Sequence, residues 1–220
     1  MTIRHHPSDT TLIAYAAGHL GEALAAIVAS HLAVCPRCRQ RNHVADEIGG
    51  GLLTDTEPAA MRDDALNAVF ARIDSGAPSN DTPATEGPRA GQHGVAAPLG
   101  ALLPADLEEI RWRSVGPGIR QARLDDSTDA PEGLKLLKIA PGRAVPRHTH
   151  RGHEMTLIVS GSYTDELGRF QAGDIADLDG EVDHQPVSDT GEDCICIIAT
   201  DAPLRFQGWV PRLMQPFVRI

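Results

Sequence analysis

Four cysteines in 220 residues are too few for a disulfide framework, and they fall into two close pairs, Cys35 with Cys38 and Cys194 with Cys196. Such pairs suit reduced thiols in a metal site or a core, in a reducing compartment. Aromatic residues make up only 4% of the chain, which implies a thin helical core that needs support beyond packing. No segment approaches the ~18 consecutive apolar residues of a membrane span. The opening residues, with His5, His6, Pro7 and Asp9, lack the apolar core of a signal peptide, so a cytoplasmic protein is expected. Basic charge is also short: 20 Lys and Arg against 30 Asp and Glu leave a net charge of −10. Direct phosphate contact on a nucleic acid is thereby disfavoured, while a basic protein partner fits.

What is present begins with His31-Leu-Ala-Val-Cys35-Pro-Arg-Cys38. His31 and Cys35 are one helical turn apart on one face, and Pro36 ends that helix so that Cys38 can turn back to the same point. One imidazole and two thiolates need a fourth ligand for tetrahedral zinc, and soft thiolates disfavour calcium or magnesium. His6 is the nearest candidate. Its neighbour His5 serves equally well on spacing.

The pattern predicts four helices in the first part. One spans residues 8–17, capped by Ser8 or Asp9 and stopped by Gly18. A second starts near Gly21, with Leu24, Ile27, Val28 and Leu32 at helical spacing, and a third starts near Pro36. The chain is expected to loosen between Gly49 and Pro58. Leu66, Val69, Phe70 and Ile73 then mark a fourth amphipathic helix whose apolar face is either core or partner surface. Residues 1–76 thus read as a zinc-binding helical domain and 77–98, rich in Gly, Pro and polar residues, as a flexible linker. Residues 99–220 read as an antiparallel β-barrel or sandwich, from short alternating runs such as Lys135–Ile139 and Cys194–Ile198.

A second ligand set lies in the β part. Gly142-x5-His148-x-His150-x3-Glu154-x6-Gly161 puts two imidazoles and a carboxylate at even spacing, hence on one face of a strand, and His184 after Gly173 can join them from a returning strand. Three histidines and a glutamate complete a divalent metal pocket, with zinc foremost and manganese, iron or nickel also suited. Cys194 and Cys196 share one strand face, as buried packing or as an oxidisable pair.

The first of these motifs resembles the first conserved motif of the cupin superfamily. The second cupin motif is matched by Gly173 and His184, whereas Asp179, Glu181 and Ser188 stand where that pattern has Pro, Gly and Asn. Taken with His6, His31, Cys35 and Cys38, the whole chain resembles the ChrR-type zinc anti-sigma factors. The likeness extends to Met1-Thr-Ile-Arg-His-His6, Ala199-Thr-Asp-Ala-Pro-Leu-Arg-Phe206 and Gln215-Pro-Phe-Val-Arg-Ile220. That resemblance implies a multidomain α + β protein, a four-helix anti-sigma domain joined to a cupin barrel. It further implies a 1:1 complex with an extracytoplasmic-function sigma factor, kept from core RNA polymerase by an interface that includes Leu66, Val69, Phe70 and Ile73. The cupin would be required for release under singlet oxygen or organic hydroperoxides. Two other classes compete: a cupin metalloenzyme of dioxygenase type, which has no need of the helical zinc module, and a DNA-binding regulator, which the acidic balance opposes.

Overall fold

The computed structural model describes residues 2–76, 92–124, 133–150, 152–180, 182–201 and 205–206. Helix α1 (Asp9–Ala16) begins where the Ser8 hydroxyl accepts the Thr11 N–H, an N-cap. Helix α2 (Glu22–Val34) ends at Cys35, and Pro36, at the first position of α3 (Pro36–Thr54), starts the next helix in a new direction. Helix α4 (Ala65–Asp74) follows. The expected loosening at Gly49 is absent: α3 runs through Gly49, Gly50 and Gly51 to Thr54. Side chains at those three positions would meet nothing, so the glycines only weaken the helix, each by up to about 1 kcal/mol relative to Ala.

After three short 3-10 helical turns between residues 92 and 109, the described chain from Arg113 forms a jelly roll. Its strands are β1 (Arg113–Gly116), β2 (Ile119–Arg123), β3 (Gly133–Ile139), β4 (His148–Thr149), β5 (Glu154–Ser160), β6 (Ser162–Asp165), β7 (Gly168–Gln171), β8 (Ile175–Leu178), β9 (Val187–Ser188), β10 (Cys194–Thr200) and β11 (Arg205–Phe206). A six-stranded antiparallel sheet, β1-β2-β3-β10-β5-β8, packs against a three-stranded sheet, β7-β6-β9, while β4 pairs with β11. Gly161 makes the corner between β5 and β6 with φ of +69°, and a Cβ there would run into the Asp193 backbone.

Strand alternation explains how the two parts join. On β5 and β10, Met155, Leu157, Val159, Ile195 and Ile197 point outward into a cluster with Leu12, Leu24, Ile27 and Val28 of α1 and α2. Ile158, Cys194 and Cys196 point inward with Tyr163 and Phe170. The central strands β5 and β10 are therefore buried on both faces, in keeping with the unbroken apolar run Leu157-Ile158-Val159. The helices do not depend on metal alone for a core, because they borrow the outer wall of the barrel. Of the expected linker, residues 77–91 lie outside the described residues. Within residues 92–98, Val95 and Ala96 are buried, and just beyond them the Leu99 N–H donates to the Ser30 hydroxyl at 3.0 Å.

The N-terminal segment is also laid on the barrel. Asp174, fully buried, accepts the Arg4 and His5 N–H groups at 2.6 and 3.0 Å, and the Ile175 N–H donates back to the His5 carbonyl. One element lower, Asp177 accepts the Ser8 N–H and the Thr11 hydroxyl, both at 2.8 Å. Among the described residues no helix is long and apolar enough to cross a membrane.

Candidate metal centres

Helix α2 presents His31 on its buried face, Cys35 ends that helix, and Cys38 faces back from the first turn of α3, where it is the only buried residue of that helix. His6 arrives from the N-terminal segment. Its Nδ1 lies 3.5 Å from Cys35 Sγ and 3.4 Å from Cys38 Sγ. Zinc bonds of about 2.3 Å to sulfur and 2.05 Å to nitrogen, at the tetrahedral angle, put the two donor atoms about 3.6 Å apart. The four donor atoms of His6, His31, Cys35 and Cys38 lie within 4.8 Å of one another. His31 is 1% exposed, and neither ring nitrogen has a hydrogen-bond partner. An imidazole buried without a partner is costly unless a cation satisfies it. Burial and Cys35 push the Cys38 thiol up to about 11, so at neutral pH the metal-free thiol stays protonated and a bound cation would displace its proton to solvent. His5 is elsewhere: its ring stacks on Phe170 with centroids 4.1 Å apart, and Nε2 lies 3.1 Å from the Arg169 carbonyl.

Burial pulls His31 down to about 4, with His6 adding to the effect. In the unfolded chain the imidazole titrates near 6.5, so the folded state holds fewer protons below that pH. The stability this provides is full above about pH 6.5 and is lost as pH falls through 4, amounting to about 3 kcal/mol. Urea unfolding of metal-free protein at pH 7 and pH 4.5 will show the loss, and His31→Asn will reduce it.

The second cluster is assembled from three places instead of one strand face. His148 lies on β4, His150 in the connection after it, and Glu154 opens β5, while His184 bridges back to His148 before β9. His184 Nε2 is 3.2 Å from both His148 Nε2 and His150 Nε2, and His150 Nδ1 lies 3.3 Å from Glu154 Oε2. The far nitrogens decide the tautomers. His148 Nδ1 donates to the Pro146 carbonyl at 2.8 Å and His184 Nδ1 to the Asp165 carboxylate at 2.9 Å. In neutral rings both Nε2 atoms then carry lone pairs aimed at each other, an arrangement that a shared cation stabilises. Metal–nitrogen bonds of about 2.1 Å place two ligand nitrogens about 3.0–3.4 Å apart for octahedral to tetrahedral angles. Burial lowers His148, which keeps its ring neutral. Burial alone would raise Glu154, but the facing imidazoles hold its carboxyl below the usual range.

Sequence reasoning did not find Asp165, Asp174 or Asp177, because aspartates this far along the chain from their partners leave no local spacing signal. His153, which belongs to neither ligand set, pairs through its ring with Asp177, and its backbone N–H donates to the Asp201 carboxylate at 2.7 Å. Cys194 and Cys196 are buried in the barrel wall, and burial pushes Cys194 up to about 12, which disfavours the thiolate that oxidation requires. Leu66, Val69, Phe70 and Ile73 lie in no core: all of α4 is unburied, and these four are 54–67% exposed.

Comparison with known proteins agrees with this architecture. Residues 103–203 match the family of ChrR cupin-like domains, and residues 11–39 match a zinc-finger family. The chain is 46% identical over 220 residues to the anti-sigma-E factor ChrR of Cereibacter sphaeroides, covering 100% of each. It is also similar to ChrR as crystallised in complex with SigE of Rhodobacter sphaeroides, with a TM-score of 0.71 and 43% identity over 91% of this chain and 100% of that one. A zinc-type helical ligand set and a cupin barrel joined in one full-length match are the signature of a single family, and the chain belongs to the ChrR-type zinc anti-sigma factors.

Proposed function

We propose that this protein is a cytoplasmic anti-sigma factor that binds one extracytoplasmic-function sigma factor and keeps it from core RNA polymerase, with the cupin barrel required for release under singlet oxygen or organic hydroperoxides. The observation that carries this reading is the bare apolar surface of the second half of α3 and of α4. Val44, Ile48, Leu52 and Leu53 are 50–72% exposed, and Leu66, Val69, Phe70 and Ile73 nearly as much. Apolar faces of this extent mark protein interaction sites. Helix α1 contributes little to this surface, since Leu12 faces the barrel and Ile13 is its one large exposed apolar side chain. The full-length likeness to an anti-sigma factor supports the same partner class.

In this reading residues 1–76 grip and residues 99–220 sense. His6, His31, Cys35 and Cys38 would hold zinc, which supplies structure and no chemistry. His148, His150, Glu154 and His184 would hold a second divalent metal, zinc before manganese, iron or nickel, which when bound offers Lewis acidity and open coordination positions. The chain's own residues orient the donors: Pro146 and Asp165 take the outward protons of His148 and His184, so their inner nitrogens face the cavity. A cupin metalloenzyme is the second reading, favoured by a cavity beside these ligands. It leaves the bare faces of α3 and α4 without a purpose.

Co-purification from cells tests the partner. The expected result is a sigma factor in 1:1 complex with this chain, and its absence favours the enzyme. Elemental analysis is expected to give two metal equivalents per full-length chain and one after His148→Ala or His184→Ala. Two equivalents in those variants would mean that the barrel set holds no metal. The same variants should retain sigma inhibition but respond weakly to singlet oxygen in a sigma-dependent transcription assay.

A further inference from the structure

Strand β8 is an edge of the six-stranded sheet, and the first residues of the chain are laid against it. Asp174, in the turn that leads into β8, is fully buried. Its Oδ1 accepts the Arg4 and His5 N–H groups at 2.6 and 3.0 Å, and its Oδ2 the Gln171 N–H at 3.0 Å. The Ile175 N–H donates to the His5 carbonyl, and the Gln171 side-chain amide to the Thr2 carbonyl at 3.0 Å. On the far side of His6, Asp177 accepts the Ser8 N–H and the Thr11 hydroxyl. His6 therefore lies between two anchors, and both are carboxylates of the barrel.

Three of the four helical donors need no such help. His31 is set by α2, Cys35 by the junction of α2 and α3, and Cys38 by the first turn of α3. His6 precedes α1 and belongs to no helix. A segment this near a chain end frays unless it is tied, and a ligand that must be ordered each time metal binds loses affinity to that ordering. The hydrogen bonds to the Asp174 carboxylate all come from backbone N–H groups, two of them from the residues just before His6. Such bonds fix the position of a backbone. We propose that Asp174 is a positioning residue for the helical metal site: from the barrel it holds Arg4 and His5 so that the His6 ring is presented to Cys35 and Cys38. The fourth ligand of that site is thus set by a residue outside 1–76. This rests on the metal assignment of His6, His31, Cys35 and Cys38 and requires no sigma factor.

Cobalt(II) titration of the metal-free, full-length protein tests it. Only the helical set contains thiolates, so the sulfur-to-cobalt absorption reports that site alone. Asp174→Ala is expected to weaken cobalt there on the order of 10- to 100-fold, the usual cost of removing a group that orients a ligand, while elemental analysis still finds metal in the barrel. Introduced into His6→Ala, the same change should alter the affinity by less than about 2-fold, because its effect runs through that ring. Arg4→Pro removes one N–H that Asp174 accepts and leaves the barrel sequence intact. It should weaken cobalt in the same direction, again only when His6 is present, and it decides the matter by itself if Asp174→Ala does not fold. Unchanged cobalt affinity in the folded variant overturns the proposal. An equal loss with and without His6 also overturns it, since Asp174 would then act on the fold at large. Absence of sulfur-to-cobalt absorption in the wild type removes the metal assignment and the proposal together, whereas failure in the variants alone leaves the assignment standing.

Discussion

Cys38→Ser is expected to abolish sigma inhibition while leaving the barrel folded and loaded with its own metal. Cys38 is the one buried residue of α3, so the ligand bond is what holds that helix to the rest of the protein. The other polar ties lie at the surface: the Arg41 guanidinium pairs with Asp9 and donates to the Pro7 carbonyl at 3.2 Å, and the Arg39 guanidinium donates to the Leu32 and Ala33 carbonyls of α2 at 2.7 and 2.9 Å, each worth on the order of 1 kcal/mol. Loss of a structural zinc removes about 10 kcal/mol or more of metal-coupled folding energy. Helix α2 should survive, because Leu24, Ile27 and Val28 pack on the outer wall of β5 and β10, at about 1.5–3 kcal/mol per buried side chain. The expected signature is hydrogen exchange that rises throughout α3 and α4 and stays protected in α2 and the barrel strands. A zinc-free Cys38→Ser protein that still inhibits the sigma factor would disprove the structural role of this ligand.

The second large effect concerns the bare helix faces. Leu66→Asp with Phe70→Asp places two charges on adjacent turns of α4, where the wild-type side chains are 65% and 55% exposed. If this face is the sigma grip, the double variant should lose about 4 kcal/mol of binding, a factor of ~1,000 in Kd. Stability in urea should shift by no more than about 0.5 kcal/mol, since neither residue touches a core. Unchanged affinity would move the interface to the α3 stripe of Val44, Ile48 and Leu52. The pairing of the two results separates their causes: Cys38→Ser removes binding by releasing the helices, the α4 variant by spoiling a surface that remains in place.

Parts of this protein are written locally and are legible in the sequence by itself. His31, Cys35 and Cys38 come together because helical periodicity and one proline act within a few residues, and neither needs distant contacts. The helix boundaries at Ser8, Pro36 and Asp74 follow the same local rules of capping and periodicity. Even the burial of β5 on both faces has a signal, in its continuous apolar run.

The tertiary structure decided what local spacing leaves degenerate. His5 and His6 are adjacent and chemically identical, and they part only because Phe170 takes one ring and the two thiols the other. His148, His150 and Glu154 have even spacing whether or not one strand carries them, and the barrel divides them among β4, a connection and β5. The three glycines of α3 weaken a helix without forbidding it, so composition suggested a loop where backbone hydrogen bonds continue the helix. Above all, the docking of α1 and α2 on the barrel depends on contacts more than a hundred residues apart, Leu24 and Ile27 with the strands that also carry Glu154. Amphipathic helices state that a face will be buried. Only the assembled wall of β5 and β10 says against what.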